Sequence, residues 1–142
     1  MKAKALFLCT GNSARSQMAE GLLRHYAGDR FEALSAGTHP VGLNPLAVEA
    51  MQEIGIDISQ QSSKNVSVFF GESIPYVVTV CDRAKEQCPI FPGAGKVLSW
   101  SFDDPAAARG SHAEQLAAFR RVRDEIAERI RSEFLPAAAS RA

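Results

Sequence analysis

The sequence lacks net charge, long apolar runs and any wealth of cysteine, and each shortage excludes something. Sixteen Lys and Arg balance sixteen Asp and Glu over 142 residues. The basic surplus of a general nucleic-acid binder is therefore missing, although a local positive site for a small anion is still compatible. The longest apolar stretches, such as 5–9 and 76–78, are far below the roughly 20 residues of a membrane helix. Behind the basic Met1-Lys2-Ala3-Lys4, the apolar part gives way to Gly11-Asn12-Ser13 at about half the length of a signal-peptide core. A cytoplasmic protein with no membrane or nucleic-acid partner is the expectation. Three cysteines make an odd count without disulfide-framework spacing. In a reducing compartment such thiols are buried, metal-bound or reactive. Zinc would need more ligands at closer spacing. The three histidines, His25, His39 and His112, are scattered. Neither metal nor cofactor is expected, and no histidine is given a catalytic role.

What is present reads as one domain of alternating strands and helices. Residues 1–135 form that domain, and 136–142 form a flexible C-terminal tail. Strands are expected at 4–8, 31–35, 74–80 and 96–100, of which the β-branched 74–80 is the clearest. A helix over 16–27 places Met18, Leu22, Leu23 and Tyr26 on one face and stops at Gly28-Asp29. Asn44-Pro45 is a capping Asn before a Pro at the first helical position. That helix lines up Ala47, Met51 and Ile54 and ends at Gly55. Ser111 and Glu114 form a capping box that opens the last helix. Its apolar stripe is Phe119, Val122, Ile126, Ile130 and Phe134. The alternation implies an α/β fold with a parallel sheet and helices on both faces. Ligands in such sheets bind at the carboxyl ends of strands, where Cys9 sits.

The loop Cys9-Thr10-Gly11-Asn12-Ser13-Ala14-Arg15 joins the first strand to the first helix, and Ser16 follows. Backbone N–H groups in such a loop can converge on an anion, and the helix dipole adds to the attraction. Gly11 permits a tight turn. Arg15 offers a planar fork for two oxygens of a tetrahedral oxyanion, and Ser16 can donate to sulfur. These surroundings favour a thiolate at Cys9 and an oxyanion beside it. Thr10, Gly11, Asn12, Ser13, Ala14, Arg15 and Ser16 are thus the oxyanion-binding candidates, with Asn12 tying neighbouring backbone groups and Glu20 joining it. Farther along, Asp104-Pro105 places a carboxylic acid in a loop after the fourth strand. It could protonate a departing oxygen, whereas Asp103 is read as structural.

Cys-x5-Arg-Ser near the start of the chain resembles the phosphate loop of low-molecular-weight protein tyrosine phosphatases. The longer string from Cys9 to Gly21, with Ser35-Ala36-Gly37, Asn44-Pro45, 56–59, 102–105 and 119–126, is more similar to the related thioredoxin-coupled arsenate reductases. The resemblance spans about residues 4–134. It implies a three-layer α/β/α, low-molecular-weight phosphatase-like fold with a four-stranded parallel sheet, and it implies general acid work for Asp104. Two activities follow from such a loop. A phosphatase needs one cysteine and water, while a reductase needs two electrons from further thiols. The relatives imply a relay. Cys9 attacks arsenate, Cys81 attacks Cys9 and releases arsenite, and Cys88 attacks Cys81 and passes the disulfide to thioredoxin. If 82–87 were helical, Cys81 and Cys88 would lie about 10 Å apart. That exceeds the ~7 Å reach of a disulfide, so the segment must bend. Phosphate and sulfate are the expected competing anions, and the expected state is monomeric. The alternatives are a low-molecular-weight phosphatase with a cysteinyl-phosphate intermediate and a non-catalytic oxyanion sensor.

The chain departs from these families in places. Ala14 stands where many members carry another Cys, which throws the redox work onto Cys81. Arg109, His112 and the alanines after Pro105 stand in place of the paired tyrosines of the tyrosine phosphatases. Some relatives hold a potassium ion with an acidic residue at the position matching Lys64. Here two readings of Lys64 stand side by side: its ammonium substitutes for that cation, or it is a solvated surface lysine.

Overall fold

The computed structural model describes residues 2–80 and 95–135. Four strands, β1 (Ala3–Cys9), β2 (Phe31–Gly37), β3 (Tyr76–Thr79) and β4 (Lys96–Ser99), pair in parallel in the order β2-β1-β3-β4. Between and after them lie α1 (Arg15–Ala27), α2 (Pro45–Gln52) and α3 (His112–Phe134).

Successive side chains of β1 point to opposite faces of the sheet. Ala5, Leu6, Phe7 and Leu8 all have 0% exposure, so both faces are covered and the three-layer arrangement holds. One face meets α3. Phe134 packs edge-on or tilted against Phe7, Phe31, Tyr76 and Trp100 at centroid distances of 5.1 to 6.1 Å, within the range aromatic pairs prefer. All five residues of the apolar stripe on α3 are buried.

The caps explain where helices begin. Asn44 accepts from Leu46 N at 2.8 Å with Pro45 behind it. Ser111 and Glu114 close both halves of the capping box. After α2, Gly55 takes φ +80. Gly55 N donates to Gln52 O, and Ile56 N donates to Met51 O, a Schellman closure that stops the helix. Ile54 does not line the inner face as its spacing suggests. The chain unwinds around Gly55 and leaves it 40% exposed.

Strand limits differ from expectation for local reasons. β2 runs on to Gly37 because Gly37 pairs with Cys9 in register. β3 begins at Tyr76 because Pro75 has no N–H to give. β1 reaches Cys9, so the thiol sits on the last strand residue, at the carboxyl edge of the sheet. Residues 81–94, with Cys81 and Cys88, and the tail 136–142 lie outside the described residues.

Candidate active site

The loop after Cys9 is shaped from outside. Thr10 O accepts from His39 N at 2.8 Å, and Gly11 O accepts from Val41 N at 3.0 Å and Ser63 Oγ at 3.2 Å. Asn12 O accepts from Gln17 Nε2 at 3.0 Å, Ser13 O from Asn44 N at 3.0 Å and Ala14 O from Met18 N at 2.9 Å. Each carbonyl from Thr10 to Ala14 is thereby turned away from the cavity. In a trans peptide the next N–H points opposite to the carbonyl. The amides of residues 11–15 are therefore directed to the cavity side, and among the described residues those of 11–16 meet no backbone acceptor. Amides arranged in this way can converge on an anion.

Asn12 is the hinge of the loop. Its φ is +46, the one positive value at a non-glycine among the described residues, so the left-handed turn falls on Asn12 and not on Gly11 as expected. The side chain supports it from both ends. Oδ1 accepts from Lys64 N at 2.8 Å, and Nδ2 donates to Ser16 Oγ at 2.9 Å. Ser16 is fully buried; its Oγ accepts from Asn12, which leaves its own proton to donate. Gly11 serves another purpose: a Cβ there would lie 3.1 Å from a Val41 methyl.

Gly37 lets β2 approach this loop. A Cβ at that position would stand 2.6 Å from Thr10 O and 2.9 Å from Asn12 N, contacts that real Cβ atoms do not make.

Cys9 is 4% exposed and lines a cavity of about 470 Å³ with Thr10, Gly11, Ser13, Ala14 and Arg15. Arg15, at the start of α1, is held by a bond from Nη1 to Phe102 O at 3.0 Å. Its Nη2 lies 3.9 Å from Asp104 Oδ2. Asp104 lines the same cavity and caps a short 3-10 turn, Pro105–Ala107, by accepting from Ala106 N at 3.0 Å. The candidate nucleophile, oxyanion fork and acid are thus brought to one cavity. Asp103 turns away to pair with Arg121 at 3.2 Å on the surface, an exposed pair of little energetic weight.

Glu20 does not join Asn12. Ser16, one turn nearer, takes the Asn12 amide, and Glu20 instead accepts from Ser35 Oγ at 2.5 Å and pairs with Arg24. Lys64 Nζ donates to Ser62 O at 2.7 Å and lines a cleft of about 370 Å³ with Glu20, Arg24, Asp57, Gln60 and Gln61. Partial burial lowers its pKa, the pull of Glu20 opposes that, and Arg24 adds to the lowering.

Several residues that shape the site were not singled out from the sequence: Val41, Phe102, Gln17, Ser63 and the strap 39–44. The polar run Ser59-Gln60-Gln61-Ser62-Ser63-Lys64-Asn65, without apolar periodicity, was the available signal for the segment that grips the loop.

The chain matches the family described as low molecular weight phosphotyrosine protein phosphatase over residues 4–139. It is 51% identical to an arsenate reductase of Shouchella clausii over 125 residues, 88% of this chain and 90% of that one. It is 50% identical to an arsenate reductase of Bacillus subtilis over 125 residues, again 88% and 90%. Among solved structures, an arsenate reductase in the phosphate binding state superposes with a TM-score of 0.75 at 31% identity, covering 93% of this chain and 95% of that one. The Corynebacterium glutamicum thioredoxin-dependent arsenate reductase gives 0.74 at 31%, covering 98% of this chain and 63% of that one. With the fold, the loop and these relatives in agreement, the chain belongs to the low molecular weight phosphotyrosine protein phosphatase family.

Proposed function

We propose that the protein is a thioredoxin-coupled arsenate reductase acting through Cys9, Cys81 and Cys88. The observation that carries this reading is the meeting of Cys9, Arg15 and Asp104 on one cavity, in a chain half identical to arsenate reductases. Arsenate sits on the loop amides of residues 11–16 and the Arg15 fork, which neutralise its charge. The Cys9 thiolate attacks arsenic and forms an S–As bond, and Asp104 protonates the departing hydroxide. The Cys81 thiolate then attacks the Cys9 sulfur. An S–S bond forms, the S–As bond breaks, and its electron pair stays on arsenic, which leaves as arsenite. Cys88 attacks Cys81, Cys9 returns as thiolate, and the Cys81–Cys88 disulfide is reduced by thioredoxin. Arsenic gains two electrons, and two thiols supply them. Phosphate and sulfate share the tetrahedral shape and compete. The reaction needs no cofactor besides the reductant. A cytoplasmic location fits this chemistry, because the relay requires reduced thiols.

The second reading, a phosphatase with a cysteinyl-phosphate intermediate, is favoured by the family description. A thiol count under denaturing conditions separates the two, taken before and after one round with arsenate and no added reductant. The relay predicts a fall from three thiols to one, absent with phosphate. Turnover of a phenyl phosphate with all three thiols intact, and no fall with arsenate, supports the phosphatase instead.

A further inference from the structure

A primary amide buried in a protein carries two N–H donors and one carbonyl acceptor, and all of them need partners. Gln17 is fully buried in the first turn of α1. Its Nε2 donates to Asn12 O at 3.0 Å and to Ser62 O at 3.0 Å. Its Oε1 accepts from Gln61 Nε2 at 2.8 Å, and Gln61 Nε2 also reaches Gln17 O at 3.0 Å. Gln61 is steadied in turn by Arg24, whose Nη1 donates to Gln61 Oε1 at 2.8 Å. Since Asn12 O and Ser62 O can only accept, the amide has one chemically allowed orientation.

The partner is what matters. Asn12 holds a positive φ, in the left-handed region that few non-glycine residues enter and that asparagine tolerates best. Lys64 and Ser16 grip the Asn12 side chain. Among the described residues Gln17 alone grips the Asn12 carbonyl. That bond fixes the plane of the peptide between Asn12 and Ser13, and with it the direction of the Ser13 N–H. We infer that Gln17 is a positioning residue: it aims the Asn12–Ser13 peptide so that the loop presents its amides to the oxyanion and to the Cys9 thiolate. The inference rests on the loop being the oxyanion site, and holds whether the reaction is reduction or hydrolysis.

The experiment replaces Gln17 by Met, which keeps length and volume and removes both donors. Alkylation of Cys9 by iodoacetamide is followed by mass of the Cys9 peptide across pH, with and without arsenate or phosphate, and a thermal melt is run beside it. The oxyanion concentration that half-protects Cys9 is expected to rise about tenfold, the scale of one lost hydrogen bond in a binding equilibrium. The pH midpoint of alkylation is expected to move up, because fewer aligned amides stabilise the thiolate. If Q17M does not fold, Gln17→Glu decides. It is nearly isosteric, sets a carboxylate oxygen against the Asn12 and Ser62 carbonyls, and is expected to move both readouts in the same directions. A lowered melting temperature with protection and pH midpoint unchanged would overturn the inference and leave Gln17 a core-filling amide. Failure of either oxyanion to protect wild-type Cys9 would overturn the oxyanion site itself, and this role with it.

Discussion

Val80 N donates to Leu8 O at 2.8 Å. The carboxyl ends of β1 and β3 are therefore adjacent, and each of these residues is followed in the chain by a cysteine: Cys9 after Leu8, Cys81 after Val80. This neighbourhood supports the first exchange of the proposed relay, which needs the second thiol to reach the Cys9 sulfur. Cys81→Ser is expected to hold the reaction at the arsenylated Cys9, with no arsenite released under conditions where the wild type turns over. Cys88→Ser is expected to release one arsenite per enzyme and then stop, leaving a Cys9–Cys81 disulfide. Arsenite quantified in single turnover, with disulfide mapping, checks both. Continued turnover by Cys81→Ser with thioredoxin would remove Cys81 from the relay.

Arg15 and Asp104 are expected to fail differently. Asp104→Asn keeps the cap that accepts from Ala106 N but cannot give a proton to hydroxide. Its kcat is expected to fall by about 10²- to 10⁴-fold with KM little changed. Arg15→Lys keeps the charge and loses the fork and the tether to Phe102 O. A loss of roughly 10²-fold in kcat/KM is expected, with KM taking a clear share. Steady-state kinetics separates the two patterns. An Asp104→Asn enzyme of undiminished kcat would show that the proton comes from elsewhere.

The fold was legible where one physical signal dominates. Short apolar runs marked the strands, β-branched only in β3 and β4, and Asn44-Pro45 and the Ser111/Glu114 box marked helix starts, because capping is a contact between near neighbours. The Cys9 loop and Asp104 were legible because their chemistry is rare in combination. What could not be read was set by contacts distant in sequence. α1 looks amphipathic, yet its opening turns are buried on every side, so Gln17 and Glu20 lie inside with Met18 and Leu22. No periodicity signals that, since it depends on the 61–64 segment and β2 folding over the helix. Likewise Gly11 looks like the turn residue, but the loop is closed by Asn12, whose left-handed backbone is stabilised by Lys64, 52 positions away.

Gly37 joins this long-range architecture to stability. Its missing Cβ lets β2 pass within contact of Thr10 O and Asn12 N. Both obstacles are backbone, so no side chain can swing aside. Gly37→Ala is expected to cost about 1–3 kcal/mol, the usual range for overpacking a tight site, and to weaken oxyanion binding because the loop must shift to admit the methyl. Urea unfolding and phosphate protection of Cys9 measure the two effects. An unchanged unfolding midpoint would mean that the loop yields without cost.

Lys64 carries a second charge-related consequence. Burial lowers its pKa in the fold while Glu20 pulls the other way and Arg24 reinforces the lowering. A lysine with a folded pKa below its unfolded value binds fewer protons folded than unfolded between the two, so its effect on stability becomes more favourable as pH rises through that window. Below that window the ammonium is present in both states and carries its desolvation cost, offset in part by its bond to Ser62 O. If that ammonium stands where some relatives hold potassium, wild-type activity and melting temperature should be the same in potassium as in a sodium control of equal ionic strength. Lys64→Gln should make both respond to potassium, through the carboxylate of Glu20 left beside the cleft. In alkaline buffers the stability difference between Lys64→Gln and wild type should shift in favour of the wild type as the lysine loses its proton. A wild-type enzyme stabilised by potassium well above the sodium control would show that the cation site is intact and that Lys64 is a solvated side chain.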